Sequence, residues 1–249
     1  MNQTNNHRRN WPLVNILGVP VDDCSLEEAL TLTNGWLRSD RSRVIITPNP
    51  EILLHSYRHK KYQSILKLAD LSIADGYGLR LASKIKHTVP GVDFASELLK
   101  LSGNLRITAV IRRDGKSNAT QVSQAIQALA PGAIVSVIAS SQEWSKRGGR
   151  DLAESVSHTD PDLVLVGLGF PYQEEWSLTY NDIIPTARLF LTLGGTFDFW
   201  TGAANRAPAI IRQLHLEWLW RLIKEPRRYR RIFRAIIVFP LTVLLSNKS

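Results

Sequence analysis

The chain predicts an α/β doubly wound fold: a mostly parallel, Rossmann-like sheet with helices on both faces, followed by a helical basic C-terminal appendage. Three observations predict it. Short β-rich apolar runs recur along the chain, helical segments separate them, and near residue 205 the alternation gives way to arginine-rich sequence. With 249 residues, 44% of them hydrophobic, the chain buries one large core without dividing into several domains, and disorder is excluded. The division expected is a core over 1–204, disordered over 1–10, and an appendage over 205–249.

The elements follow in order. MNQTNNHRRN is polar and basic, and LVNILGVPV after it is interrupted by Asn15 and Gly18 and ends in acids, which makes a poor secretory signal. Ser25 and Glu28 form a capping-box pair that opens a first helix through LEEALTLTNGWL. Six runs then read as strands: VIIT at 44–47, LSIA at 71–74, ITAVI at 107–111, IVSVIA at 134–139, LVLVG at 163–167 and LFLTL at 189–193. In the last segment, Arg221 to Arg234 holds seven Lys or Arg residues against the single acid Glu225. Apolar residues at 229, 232, 233, 236 and 237 fall at helical spacing, with Arg227, Arg228, Arg230, Arg231 and Arg234 between them. Such a basic amphipathic helix either lies in a lipid headgroup region or packs its apolar stripe on its own core and leaves a solvated basic face. The longest uncharged apolar run, Ala235 to Leu245, is far short of the roughly 20 residues a spanning helix needs and contains Pro240.

A formal net charge of +9 with a pI near 9.9 implies an anionic partner: nucleic acid, a phosphorylated substrate or an acidic lipid surface. Cys24 is the single cysteine, so no intramolecular disulfide or multi-cysteine metal site forms, which suits a cytoplasmic location.

In an open parallel sheet ligands bind beyond the carboxyl ends of the strands, so the residues just after each run are the candidates. TPNPE follows the first run and carries Thr47, Asn49 and Glu51; as a bland alternative it is a turn and a helix cap. DGYG follows the second, leaving Asp75 at a strand end before Gly76, where a turn is again the plain reading. LGFPYQEEW follows LVLVG and carries Gly167, Gly169, Gln173 and Glu174 into a helix start, whose amides and dipole favour a phosphate. GLGFPY lacks the third glycine of a dinucleotide fingerprint, which disfavours a nicotinamide enzyme. Asp160 and Asp162 form a DPD triplet, but it precedes a strand and so reads as a turn at the wrong end of the sheet. His55 and His59 are four apart without a carboxylate nearby, a solvated helix face rather than a metal site.

Taken in order, TPNPE, ADLSIADGYGL, VPGVDF, DLVLVGLGFPYQEEW, LGGTFDFWTG, NRAP, EWLWRL and EPRRYRR resemble the bacterial WecG/TagA/CpsF glycosyltransferases, N-acetylmannosaminyltransferase-like enzymes of cell-surface polymer synthesis. The likeness runs from about Leu13 to Phe239. It implies an inverting, metal-independent hexosyltransferase with no cofactor, a UDP-sugar donor and an undecaprenyl diphosphate-linked sugar acceptor, peripheral on the inner face of the plasma membrane. By motif, Asp75 is the general base with Thr47 and Asn49 beside the reaction centre. Gly76, Gly167, Gly169, Gln173 and Glu174 border the donor, and Arg206, Arg221, Arg228 and Arg231 face phosphate or acceptor. An anionic membrane surface is an expected partner, a homo-oligomer is compatible with the chain, and nucleic acid is not expected. The competing class, a nucleic-acid binder gripping phosphates with the arginine helix, leaves Asp75 and PYQEEW without a role. Two departures from the family pattern bear on the donor: RRDGKSNAT replaces a glycine-rich loop after ITAVI, and Tyr172 stands where a lysine is common. A glucose or uronic acid donor is therefore the alternative to N-acetylmannosamine.

Overall fold

A computed structural model describes residues 10–141, 146–214, 216–224, 226 and 229–246. The disorder expected over 1–10 falls, apart from Asn10, outside the described residues.

LVNILGVPV, read above only as a poor secretory signal, forms with Asp22 an antiparallel hairpin, β1 (Leu13–Ile16) and β2 (Val19–Asp22). Its two-residue loop, Leu17 and Gly18, has φ of 52° and 85°, the left-handed pair that a tight hairpin turn requires. The capping box at Ser25 is present. Its Oγ accepts from the Glu28 amide at 3.2 Å, Glu28 Oε2 accepts from the Ser25 amide at 2.8 Å, and α1 (Leu26–Trp36) follows.

The main sheet is six-stranded and parallel throughout, in the order β4-β3-β8-β7-β5-β6. Its strands are β3 (Arg43–Ile46), β4 (Leu71–Ser72), β5 (Arg106–Arg112), β6 (Ile134–Ser140), β7 (Leu163–Gly167) and β8 (Leu189–Thr192). β4 is half the length read from LSIA. Ile73 leaves the ladder for an isolated bridge to Asp22 of the hairpin, which covers this edge.

Strand periodicity divides the core into two layers. Val44, Ile46, Val164, Val166 and Phe190 point to one face, under α2 (Pro50–Arg58), α3 (Lys60–Leu66), α7 (Lys146–Ser157) and α8 (Tyr172–Tyr180). Ile45, Leu163, Leu165, Leu189 and Leu191 point to the other, under α1, α5 (Gly91–Leu101), α6 (Ala119–Leu129) and α9 (Thr196–Trp200). Neighbouring strands β3, β8 and β7 thus send their connections to alternate faces, the arrangement in which open α/β sheets take ligands at their carboxyl ends.

The amino edge is closed by aspartates. Asp70 accepts from the Val44 amide at 2.9 Å and Asp162 from the Arg106 amide at 2.9 Å, so β3 and β5 each begin on a carboxylate, whereas Asp22 of the hairpin accepts from the Ser72 amide at 2.8 Å where β4 ends, level with Ile46. The DPD triplet lies here, as a turn, with Asp160 and Asp162 in ion pairs to Arg106 and Arg188.

Beyond α9 come α10 (Ala209–Gln213) and α11 (Glu217–Lys224). The last helical run comprises α12 (Tyr229–Phe233), one π-helical turn (Arg234–Val238) and α13 (Phe239–Ser246). The wide turn precedes Pro240, where the backbone ladder lacks a donor. The run has two apolar faces. Phe239 and Val243 are buried in the core, while Tyr229, Phe233, Ile237, Leu241, Leu244 and Leu245, close to four residues apart, are all exposed. The helix thus packs one apolar face on its own core and leaves a second apolar row exposed. Among the described residues no helix is long and apolar enough to cross a membrane.

Candidate active site

The turns after β3 and β4 meet. The Asp75 amide donates to the Pro48 carbonyl at 3.0 Å, which sets Asp75 beside Thr47 and Asn49. Thr47 is buried and its hydroxyl donates to the Thr192 carbonyl at 3.2 Å, tying the end of β3 to the end of β8. Asn49 is the N-cap of α2: its side-chain oxygen accepts from the amides of Glu51 at 3.0 Å and Ile52 at 3.1 Å. Only its NH₂ group is left for other contacts. Gly76 has φ of 98° and opens the short helix α4 (Tyr77–Ala82), a backbone angle that a side chain would strain. Two residues on, a Cβ at Gly78 would stand 3.1 Å from the Pro50 ring and 3.5 Å from the Ala235 carbonyl, so the C-terminal helix lies directly against this turn.

After β7 and β8 the polar side chains point inward. Gln173 and Glu174 are 3% and 1% exposed, so they meet the fold before they meet any ligand. Gln173 Oε1 accepts from the amides of Gly169 and Gly194, each at 3.0 Å, and joins the two glycine turns. Gln173 Nε2 donates to Glu174 Oε1 at 2.7 Å, and the Tyr62 hydroxyl donates to Glu174 Oε2 at 3.1 Å. Burial pushes the Glu174 carboxyl up to about 7, against the lowering effect of those hydrogen bonds. Gly167 ends β7 with Phe197 packed on it: a Cβ there would stand 2.5 Å from that ring.

The cations divide. Arg206 is fixed by a bidentate pair to Asp93, which raises its pKa further; Asp75 contributes to the same shift, so the two share one electrostatic neighbourhood. Its Nε is buried without a hydrogen-bond partner. Arg231 donates to Glu51 of α2, with Nε at 2.9 Å, so Glu51 ties the appendage to the turn after β3. Arg228 and the side chain of Arg221 lie outside the described residues. His55 stacks on His59 with centroids 4.1 Å apart, and burial depresses the His55 pKa. Among the described residues no group of three or more His, Cys, Asp or Glu side chains gathers to hold a metal. Tyr62, Asp93 and Gly194 escaped the sequence reading. Asp93 sits within VPGVDF and Gly194 within LGGTFDFWTG, so order of motifs was the only signal for them, and Tyr62 carried none.

The fold is that of a doubly wound, Rossmann-like α/β protein, with its C-terminal helix lying against the turns at the carboxyl edge of the sheet. The chain belongs to the glycosyl transferase WecG/TagA/CpsF family, whose pattern matches residues 14–249. It is 29% identical over 206 residues, 81% of this chain and 79% of the relative, to an N-acetylglucosaminyldiphosphoundecaprenol N-acetyl-beta-D-mannosaminyltransferase of Bacillus spizizenii. It is 27% identical over 250 residues, 97% and 96% of the two chains, to a protein of the same name from Staphylococcus aureus strain MW2.

Proposed function

We propose that this enzyme transfers an N-acetylmannosamine-like sugar from a UDP-sugar to an undecaprenyl diphosphate-linked N-acetylglucosamine, with inversion and without a metal, in the synthesis of a cell-surface polymer. The observation that carries this reading is the meeting of Asp75, Thr47 and Arg206 at the carboxyl edge, directly under a helix with an exposed apolar row. The names of the relatives supply donor sugar and acceptor.

An acceptor hydroxyl is a poor nucleophile, so Asp75 takes its proton as the oxygen attacks the anomeric carbon. The bond from that carbon to the diphosphate breaks on the opposite face, and UDP departs with the charge. Arg206, held by Asp93 with its Nε unpartnered, meets that charge, and Arg221, Arg228 and Arg231 of the appendage close over it. One displacement inverts the anomeric centre. Asn49 contributes its NH₂ group to the reaction centre, while Gly76 and Gly169 let the donor approach the backbone and Gly167, expected to do the same, makes room for the Phe197 ring. Residues 1–204 carry the donor and residues 205–249 the acceptor and the membrane. The row from Tyr229 to Leu245 enters the headgroup region of the inner leaflet, with Arg230 and Arg234 beside it, which suits an acidic lipid surface better than nucleic acid.

The test is Asp75→Asn with purified protein, a short-chain lipid diphosphate-linked N-acetylglucosamine acceptor, and UDP release as readout. UDP binding should persist while turnover falls by about two orders of magnitude or more; full turnover would remove Asp75 as the base. A panel of UDP-sugars in the same assay separates N-acetylmannosamine from glucose or a uronic acid.

A further inference from the structure

We infer that Tyr62, Gln173 and Glu174 form a positioning relay, buried away from the donor, that locks the glycine turns after β7 and β8 together and sets the shape of the nucleotide site. The inference rests on the reading above in which those turns border the nucleotide. It departs from that reading in one respect: Gln173 and Glu174 act through the turns rather than by touching the sugar or its phosphates.

The geometry is specific about direction. A glutamine amide has an acceptor end and a donor end. Here the acceptor end receives two backbone N–H groups, from Gly169 and Gly194, each at 3.0 Å. Rotating the amide by half a turn would set its NH₂ against both of those donors and leave all of them without an acceptor. The other end reinforces that orientation. Nε2 donates at 2.7 Å to Glu174 Oε1, and an ionised carboxylate, which only accepts, admits no other orientation. Glu174 Oε2 is held in turn by the Tyr62 hydroxyl, from a helix on the same face of the sheet. Tyr62 joins the relay across 112 residues of sequence. A protonated Glu174 is a weaker acceptor and can itself donate, so its share of the constraint on the amide weakens while the two glycine amides still hold the other end.

The relay should therefore tighten as Glu174 ionises. Tyr62 of α3 and Gln173 and Glu175 of α8 act on Glu174. Of the other elements packed on α8, β7 and β8 carry no titratable side chain, α7 keeps its Arg150–Glu154 pair exposed, and Asp182 in the turn after α8 is exposed. Arg43 of β3 sits at the far edge over Trp36.

The test uses the full chain as wild type, Glu174→Gln and Tyr62→Phe. Two quantities are measured on either side of pH 7: amide exchange protection of Gly169 and Gly194, and affinity for UDP by calorimetry. In the wild type, protection of both glycines and UDP affinity should each fall by roughly fivefold below that pH, the loss of about one hydrogen bond. Glu174→Gln should abolish the pH dependence of both. Tyr62→Phe, which keeps the ring packing, should move the midpoint to higher pH by about half a unit or more, because the carboxylate loses a donor. A Glu174→Gln protein that keeps the wild-type pH dependence overturns the relay, as does unchanged glycine protection in both variants. If Glu174→Gln does not fold, Tyr62→Phe decides alone by the same midpoint. Wild-type protein that shows the exchange transition yet binds no UDP at any pH leaves the relay standing and removes the nucleotide reading.

Discussion

Replacing Glu174 with Gln should make the protein more stable, and only at neutral and alkaline pH. The group is buried, and its pKa rises from 4.5 to about 7 on folding, chiefly through desolvation. A carboxyl whose folded pKa lies above its unfolded value binds more protons in the native state between those two values. Stability from this group is therefore fully present below about 4.5, falls as pH rises through the window, and reaches its minimum above about 7. The shift corresponds to about 3 kcal/mol at pH 8. Gln is isosteric, can accept from Gln173 Nε2 with its oxygen and donate to the Tyr62 oxygen with its NH₂, and never ionises. Thermal or urea unfolding of both proteins at pH 5 and at pH 8 is the assay. The variant should match wild type within about 1 kcal/mol at the lower pH and exceed it by about 3 kcal/mol at the higher. For a chain of this size that is about 6 to 12 °C in Tm. A difference that stays flat between the two pH values, or one that favours the wild type at pH 8, would refute the argument that desolvation of Glu174 is a standing cost of the native fold.

Three further outcomes are expected. Gly167→Ala drives a methyl group to 2.5 Å from the Phe197 ring, and urea unfolding should show a loss of about 1 to 3 kcal/mol, with no loss if α9 shifts freely. Phe239→Ala empties a fully buried site where the C-terminal helix meets the core; a loss of about 3 to 5 kcal/mol and faster proteolysis of the helix should follow, whereas unchanged unfolding would mean the helix is not docked in solution. Ile237→Glu combined with Leu241→Glu changes only exposed positions, so Tm should hold while sedimentation with anionic liposomes is lost; undiminished sedimentation would remove this row as the membrane contact.

The parallel sheet was legible because buried strands must be apolar on both faces, and Ser25 with Glu28 announced α1 because capping is a local interaction. The β1–β2 hairpin was not legible. Its turn is Leu17–Gly18 rather than a polar pair, and Pro20 sits within the second strand, so local chemistry argued against a hairpin that Gln63 Nε2 stabilises from 46 residues away by donating to the Leu17 carbonyl. At the candidate site, residue types at the strand ends could be read, but not which way they face. Gln173 looks like a ligand residue in PYQEEW. Only the fold brings Gly194 to its oxygen. Arg206 and Arg231 likewise read as open cations because their partners, Asp93 and Glu51, lie 113 and 180 residues away. Tyr62, in KKYQSIL, looks like any aromatic residue on an amphipathic helix.

The aspartates at the amino edge of the sheet separate what must stay constant from what can change. With β3 and β5 each started on a carboxylate at one end, the turns at the other are relieved of holding those strands in register. Segments such as Arg112–Asn118, anchored at its far end by Ser117 to Asp198 and Thr201, can then diverge or be grafted between relatives without unseating the sheet. On the function proposed above, the turn after β5 is where exchanging a loop would change the sugar while leaving the scaffold intact.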